Sequence, residues 1–330
     1  MPDLGEAVAS QLSALVERGE VASVAFAVVA GTCARSGGFG GADADSVFQI
    51  GSVTKALTGL LLADAAGRGE VKLSDPGTDY LPGASPGQVT LVELATHTSG
   101  LPRLPPGMRR YALLRPRNPY AWYPRSSFLR AARRSLATAP GGQPYAYSNF
   151  GAALLGHLLG EAAQVPYQRL VEERICRPLS MTATSFHARP VQGYSNGRKV
   201  PPWHLGPMPA AGGLYSTASD MAKLLTACLR PQGTSLAESA PLALATHAVA
   251  GPREEMGLGW HHALRDGRRV SWHNGMTGGY SSMVALDIDR QSAVVALANR
   301  GTPPPSPLDA PVMSAIFADQ GRPLRLGCPG

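Results

Sequence analysis

Three short polar motifs, in a fixed order along the chain, carry the residue types that acyl-group chemistry needs. They are Ser52-Val53-Thr54-Lys55, Tyr147-Ser148-Asn149 and His273-Asn274-Gly275. A serine hydroxyl is a poor nucleophile at neutral pH and needs a base within hydrogen-bond reach, which a desolvated lysine or a tyrosine can supply. The motifs therefore predict a nucleophile, two candidate bases and polar groups that contact a carbonyl substrate.

The serine motif lies where an extended segment gives way to a helical pattern. Leu57, Leu60 and Leu61 follow at helical spacing, which places Ser52 at or near a helix N-terminus and Lys55 on the same helix face. Backbone N–H groups and the positive end of the helix dipole would stabilise the oxyanion formed on acylation. We predict that Ser52 is the nucleophile and one oxyanion donor, and that Lys55 is a base.

The second motif occurs twice. The copy at Tyr147-Ser148-Asn149 opens an amphipathic helical pattern, whereas Tyr194-Ser195-Asn196 precedes a stretch that we interpret as a polar loop without regular structure. We assign the chemistry to the first copy. Tyr147 is predicted to act as phenolate or proton shuttle, provided that Lys55 lowers its pKa from about 10, and Asn149 offers a donor and acceptors to a substrate amide or ester.

The third motif lies in a region that reads as three neighbouring strands between residues 269 and 298. Its glycines would let a substrate approach the edge of a strand closely. We therefore predict that His273 and Gly275 bind substrate and that the Met276 N–H is the second oxyanion donor.

In this order, the motifs resemble those of the serine β-lactamase-like superfamily, which includes class C β-lactamases, D-Ala-D-Ala peptidases, esterases and transacylases. The resemblance runs from about residue 20 to 300 and includes FQIGSVTKALTGLLLA, LVELATHTSGLP, YAYSNFGAALLG and AAGGLYSTASDMAKLL. It implies an acyl-enzyme on Ser52, Lys55 and Tyr147 as the base system, Asn149 as a substrate contact, and no cofactor.

The third motif departs from the pattern of the β-lactamases and D-Ala-D-Ala peptidases, which commonly carry Lys-Thr-Gly there. A lysine is a fixed cation that suits a substrate carboxylate, whereas a histidine such as His273 is mostly neutral at pH 7. Histidine versions of the motif are similar to those of the esterase, aminopeptidase and transacylase branches. We expect a small-molecule ester, thioester or unconstrained amide as substrate rather than a β-lactam.

Several alternatives stay open. Hydrolysis and transfer share the acylation step, so the chain could instead be a transacylase that passes the acyl group to an amine or alcohol in a biosynthetic pathway. A second alternative is a catalytically inactive binding protein for an anionic ligand or carrier. A Ser-His-Asp hydrolase that uses His273 is disfavoured because Ser52 does not lie in a Gly-x-Ser-x-Gly elbow. We interpret His97 as structural and expect no metal site.

The fold class that pattern and resemblance predict is α/β, with a β-lactamase-like antiparallel sheet flanked by helices and an inserted all-helical domain. Residues 1–56 and 200–330 are predicted to form the α/β domain, and residues 57–199 the mainly helical insertion. The catalytic groups would then meet at the seam between the two, a common position for small-molecule sites.

The net charge of +7 is concentrated in one segment, because nine arginines and no acidic residue lie between Arg103 and Arg134. The simpler interpretation is a solvated basic face. The sharper one is that Arg109, Arg110, Arg115 and Arg117 contact an anionic substrate or its carrier, since arginine forks suit phosphate and carboxylate. No nucleic-acid partner is expected.

Location is predicted from what the sequence lacks. No apolar stretch reaches the 18 or so residues of a membrane helix, and the first residues do not have the pattern of a secretory signal. The scattered cysteines Cys33, Cys176, Cys228 and Cys328 suit reduced thiols. We expect a cytoplasmic protein without a membrane partner; the sequence predicts no oligomeric state.

Overall fold

The structure is a computed structural model and describes residues 3–114, 118, 120–301 and 305–318. The helices are α1 (Leu4–Glu17), α2 (Thr54–Gly67), α3 (Leu91–Thr96), α4 (Met108–Leu114), α5 (Arg125–Thr138), α6 (Asn149–Ala163), α7 (Tyr167–Val171), α8 (Ala218–Leu229), α9 (Ser239–Leu244) and α10 (Asp309–Ala318). The strands are β1 (Val24–Ala30), β2 (Cys33–Phe39), β3 (Phe48–Gln49), β4 (Gly193–Ser195), β5 (Arg198–Val200), β6 (Tyr215–Ser216), β7 (Ala248–Gly251), β8 (Glu254–Met256), β9 (His261–Arg265), β10 (Arg268–Met276), β11 (Ser281–Asp287) and β12 (Ser292–Ala298).

The main sheet joins the two ends of the chain. Its eight strands lie in the order β2-β1-β12-β11-β10-β9-β8-β7, and every neighbouring pair is antiparallel. The prediction of three adjacent strands between residues 269 and 298 is confirmed by β10, β11 and β12. The α/β fold class with a large antiparallel sheet flanked by helices is therefore correct.

Helices cover both faces of this sheet. Each of the strands β1, β11 and β12 has seven residues, all of them buried, and most of these residues are apolar. Consecutive residues of β1 face opposite cores: Phe26 packs with Leu12 of α1, and Ala27 belongs to the larger cluster that includes Leu57 of α2. This larger core holds α2 against the sheet and thereby positions the first motif.

Most of the remaining helices come from the middle of the chain, between β3 and β6. The predicted division into residues 1–56 plus 200–330 and residues 57–199 remains a prediction; its first boundary falls inside α2, which runs over Thr54–Gly67. No helix among the described residues is long and apolar enough to cross a membrane.

The interpretation of residues 197–203 as a polar loop without regular structure is wrong for Arg198–Val200, which form β5. They lie in a hairpin of β4 and β5, in which Tyr194 pairs with Lys199. Asn196 and Gly197 form the turn with φ of 49° and 71°, the left-handed conformation that an Asn-Gly hairpin turn requires.

The cysteines also differ from expectation. Cys176 and Cys228 are buried free thiols, whereas Cys33 is disulfide-bonded, and Cys328 lies outside the described residues. The expectation of reduced thiols is therefore wrong for Cys33. Because disulfides are rare in the cytosol, the cysteines no longer support the predicted cytoplasmic location.

Candidate active site

Ser52 lies in a tight turn between β3 and α2. Residues Gly51–Val53 form a 3-10 turn that leads directly into the helix. Gly51 has φ of 51°, and a Cβ added there would lie 3.0 Å from the Met276 nitrogen of β10. A glycine is therefore required for both the backbone conformation and the close approach of the strand.

Lys55 points from the first turn of α2 back to this serine. Its Nζ lies 3.0 Å from Ser52 Oγ, 2.9 Å from Asn149 Oδ1 and 2.6 Å from the Ala211 carbonyl oxygen. The side chain is buried, and this burial, together with the positive charge of Arg103, lowers the pKa of Lys55 well below its usual value. Lys55 is thus held by hydrogen bonds in surroundings that favour the neutral amine.

Tyr147 contacts the same serine oxygen from another direction. Its hydroxyl donates a hydrogen bond of 2.8 Å to Ser52 Oγ. Burial raises the pKa of Tyr147 to about 12, although the hydrogen bond to Ser52 and the charge of Arg103 act in the opposite direction. The expectation of a lowered pKa is therefore wrong, because desolvation outweighs the nearby positive charge; Tyr147 is a neutral hydrogen-bond donor at neutral pH.

His97 holds the backbone on both sides of Tyr147. It ends α3 in the left-handed conformation with φ of 61°. Its carbonyl oxygen accepts a 2.9 Å hydrogen bond from Ala146 N, and its Nδ1 accepts one of 3.2 Å from Ser148 N. The imidazole also packs against the Tyr147 ring, with 4.6 Å between the centroids. These contacts agree with a structural role behind the site.

Asn149 begins α6, whose N-cap is Ser148; the cap side chain accepts a 2.8 Å hydrogen bond from Gly151 N. Asn149 Oδ1 accepts from Lys55, and its Nδ2 lies 3.4 Å from the Tyr120 hydroxyl. The acceptor side of this amide is therefore engaged in positioning Lys55. Its role as a substrate contact stays a prediction that concerns the Nδ2 side.

Gly275 brings β10 against the nucleophile turn. A Cβ at this position would lie 2.2 Å from the Ile50 carbonyl oxygen and 2.9 Å from the Ser52 nitrogen. Ser282 of the adjacent strand donates a 2.7 Å hydrogen bond to the same Ile50 oxygen. The backbone nitrogens of Ser52 and Met276 are therefore brought to one junction, which is the arrangement that the predicted oxyanion donors need.

His273 is buried beneath this junction. Its Nδ1 lies 2.6 Å from the Asn274 carbonyl oxygen, and burial, followed by the electrostatic influence of the nearby basic groups His261 and Lys55, lowers the pKa of His273 well below its usual value. It is therefore a neutral imidazole. Its Nε2 has no hydrogen-bond partner within the described part of the chain, so no bond links His273 to Ser52 as a Ser-His-Asp arrangement would require.

Of the four predicted anion contacts, the structure describes two, so this part of the prediction stays open. Arg109 and Arg110 are exposed on α4, and the Arg110 guanidinium packs over the Tyr111 ring at 4.9 Å. Arg115 and Arg117 lie outside the described residues. It is Arg103 whose guanidinium lies over the ring of Tyr147, with its carbon 5.3 Å from the centroid.

Three contacts at the site were missed from the sequence. The Ala211 carbonyl has no side-chain signal, because any residue type could supply it. Tyr120 lies in an irregular segment, with its ring 5.4 Å from that of Trp203. Arg103 begins the arginine-rich segment, but the anion contacts were predicted at later arginines of that segment.

The second Tyr-Ser-Asn copy is elsewhere. Tyr194 N donates to the Asn299 carbonyl oxygen at 3.1 Å, and Gly301 N donates to the Tyr194 carbonyl oxygen at 2.9 Å. These bonds attach the β4–β5 hairpin to the end of β12. The choice of Tyr147 and Asn149 over this copy agrees with their hydrogen bonds to Ser52 and Lys55.

Comparisons with known proteins agree with this fold. Residues 8–316 match the Beta-lactamase family. The chain is 33% identical over 275 residues to the D-alanyl-D-alanine-carboxypeptidase/endopeptidase AmpH of Escherichia coli strain K12, covering 73% of this chain and 68% of that protein. It is 30% identical over 312 residues to a beta-lactamase of the same strain, covering 80% and 78%.

A class C beta lactamase from Rhodobacter sphaeroides has the same fold, with a TM-score of 0.80 at 20% identity over 94% of this chain and 98% of that one. The fold and the ordered motifs define a β-lactamase-like serine hydrolase. The chain belongs to the Beta-lactamase family.

Proposed function

We propose that the protein hydrolyses an ester or amide through an acyl-enzyme on Ser52, with Lys55 and Tyr147 as its acid–base system. The observation that carries this proposal is the set of neighbours around Lys55 Nζ. The Asn149 Oδ1 and Ala211 carbonyl oxygens can only accept hydrogen bonds, and they lie 2.9 and 2.6 Å away. A neutral amine can donate both N–H groups to them and keep its lone pair for the Ser52 hydroxyl, 3.0 Å away.

The chemistry follows from these positions. Lys55 removes the hydroxyl proton while Ser52 Oγ attacks the substrate carbonyl, and the C–O bond to Oγ forms. The backbone N–H groups of Ser52 and Met276 stabilise the negative oxygen. The protonated Tyr147, whose hydroxyl lies 2.8 Å from Ser52 Oγ, then donates a proton to the leaving atom as its bond to carbon breaks, and Lys55 returns the proton to Tyr147. Water repeats the sequence to release the acid.

The third motif indicates which class of substrate the site prefers. One relative is named a D-alanyl-D-alanine-carboxypeptidase/endopeptidase and another a beta-lactamase, so peptide amides and lactams are the competing substrates. His273 is buried, with a pKa held well below the usual value, so the third motif does not supply the cation that Lys-Thr-Gly offers to a lactam carboxylate. We therefore propose a preference for esters, thioesters and unconstrained amides, measured as faster turnover of short p-nitrophenyl esters than of nitrocefin.

Covalent labelling tests the nucleophile. Intact mass spectrometry after treatment with a fluorophosphonate should show one adduct on the wild type and none on Ser52→Ala, which should also lose esterase turnover. Ser126→Ala is a matched control, because Ser126 is exposed on α5. An adduct on Ser52→Ala at wild-type extent would refute the assignment, and an unlabelled wild type would favour the inactive binding protein.

Acyl transfer is the alternative fate of the same intermediate. Adding amine or alcohol acceptors to a p-nitrophenyl ester assay separates hydrolysis from transfer, because a transacylase forms the acylated acceptor at the expense of the free acid. We keep transfer, and an acyl donor bound to an acidic carrier, as the second proposal.

A further inference from the structure

Arg103 lies beside Tyr147 at the entrance to the site, and its guanidinium forms no ion pair with the described residues. Its guanidinium carbon is 5.3 Å from the centroid of the Tyr147 ring, and its side chain is exposed. Among the described residues, no carboxylate lies within ion-pair distance of it. An arginine is permanently charged and carries five donors, so one packed against a ring can still present a fork of N–H groups to an anion.

The backbone of Arg103 is fixed to the helix that carries the catalytic groups. Its carbonyl oxygen accepts a 3.2 Å hydrogen bond from Phe150 N, in the first turn of α6. The preceding carbonyl, of Pro102, accepts one of 2.7 Å from Ser148 Oγ. The side chain therefore starts from an anchored backbone position, and its guanidinium lies over the Tyr147 ring, whose hydroxyl contacts Ser52.

The other basic residues of the site are unsuited to binding a substrate anion. Lys55 is buried, hydrogen-bonded to three oxygen atoms and low in pKa. His273 is buried and neutral. The guanidinium of Arg103, in contrast, is exposed and lies 5.3 Å from the centroid of the Tyr147 ring, and its positive charge lowers the pKa of Lys55.

We propose that Arg103 selects substrates that carry a carboxylate, by binding this group with its guanidinium at the entrance to the site. The inference rests on the proposed Ser52 hydrolase function and adds a specificity residue to it. It places the anion contact at Arg103, beside Tyr147, and not at the His273 position of β10 or at the arginines of α4. The carboxylate could belong to the acyl half or to the leaving group, and both sources are tested below.

The experiment uses matched pairs of small esters. Mono-p-nitrophenyl glutarate is compared with p-nitrophenyl butyrate for the acyl side, and 3-acetoxybenzoate with its neutral methyl ester for the leaving group. For each pair the ratio of kcat/KM, anionic over neutral, is measured for the wild type, Arg103→Gln and Arg103→Lys. Arg35→Gln is the charge-matched control, because Arg35 is exposed on β2 at the far edge of the sheet.

We expect Arg103→Gln to lower the ratio on the order of 10-fold or more for at least one pair, because a charge-assisted bidentate contact is lost. Arg103→Lys should retain part of the preference, and Arg35→Gln all of it. The loss should persist at 0.5 M salt, since a direct contact is screened less than long-range attraction.

Two results would overturn the inference. If Arg103→Gln changes both members of each pair by one common factor, Arg103 only tunes Lys55 and Tyr147. If the ratio falls equally in Arg35→Gln, or the loss vanishes in high salt, the preference comes from the general positive field. Loss of turnover in Ser52→Ala keeps the hydrolase proposal intact in either case, so the two failures are distinguishable.

Discussion

The two Tyr-Ser-Asn segments have the same sequence and opposite surroundings. In the first, Tyr147 and Asn149 are hydrogen-bonded to Ser52 and Lys55, and Ser148 caps α6. In the second, the tripeptide forms β4 and the start of an Asn-Gly turn. The element that follows the tripeptide therefore determines where its side chains point. Before a capped helix they point inward to the site, whereas in a hairpin successive side chains point to opposite faces.

Among the three pairs of residues in these segments, Tyr147 and Tyr194 should differ most in their effect on catalysis. Tyr147→Phe removes the hydroxyl that donates to Ser52 Oγ and should lower kcat/KM for p-nitrophenyl acetate on the order of 10²-fold or more. Tyr194→Phe should leave the kinetics unchanged. A large defect in Tyr194→Phe, or a wild-type rate in Tyr147→Phe, would reverse the comparison.

Asn149 and Asn196 should differ less in their effect on catalysis. Asn149→Ala removes the 2.9 Å hydrogen bond that positions Lys55 Nζ, and we expect kcat/KM to fall about 10-fold. Asn196→Gly is the matched change, because glycine accepts the φ of 49° without strain. Its kinetics should match the wild type in the same ester assay; an equal loss in both variants would contradict the assigned role of Asn149.

Ser148 and Ser195 should differ in how much they contribute to the stability of the folded protein. Ser148→Ala removes the N-cap of α6 and leaves the Pro102 carbonyl without its donor, so the free energy of unfolding should fall by about 1–2 kcal/mol. Ser195→Ala in β4 removes no helix cap and should cost less. Urea unfolding of both variants measures this, and an unfolding free energy of Ser148→Ala equal to that of the wild type would show that the helix cap contributes little.

Local patterns predicted much of this molecule. The strands β10 to β12 followed from apolar runs between turn residues, and Ser52 and Lys55 followed from one helical turn of sequence. The hairpin at residues 193–200 was also predictable, because Asn196-Gly197 is a strong signal for a tight turn. It was overlooked because the flanking residues are polar.

Other features depend on contacts between distant segments. The Ala211 carbonyl that binds Lys55 lies 156 residues away in sequence. The direction of the Tyr147 pKa shift is set by burial, which only the packed structure defines. The disulfide at Cys33 likewise could not be inferred from cysteine spacing.

The central claim is that Lys55 works as a neutral base, and this gives the reaction a pH signature. Burial lowers the pKa of Lys55, and the protonated form cannot accept the Ser52 proton. The acylation rate should therefore rise with pH through that lowered pKa and then level off, since Tyr147 keeps its proton until near its pKa of about 12. A stopped-flow pH profile of single-turnover acylation measures this; a rate that falls as pH rises from neutral would be inconsistent with it.

The most direct test replaces Lys55 by arginine and by alanine and compares the single-turnover acylation of Ser52. Arginine keeps the positive charge but cannot deprotonate in a protein. We expect the acylation rate of both variants to fall by a similar factor, on the order of 10² to 10⁴-fold. If Lys55→Arg retained most of the wild-type acylation rate while Lys55→Ala did not, Lys55 would act through its charge, and its assignment as the base would be wrong.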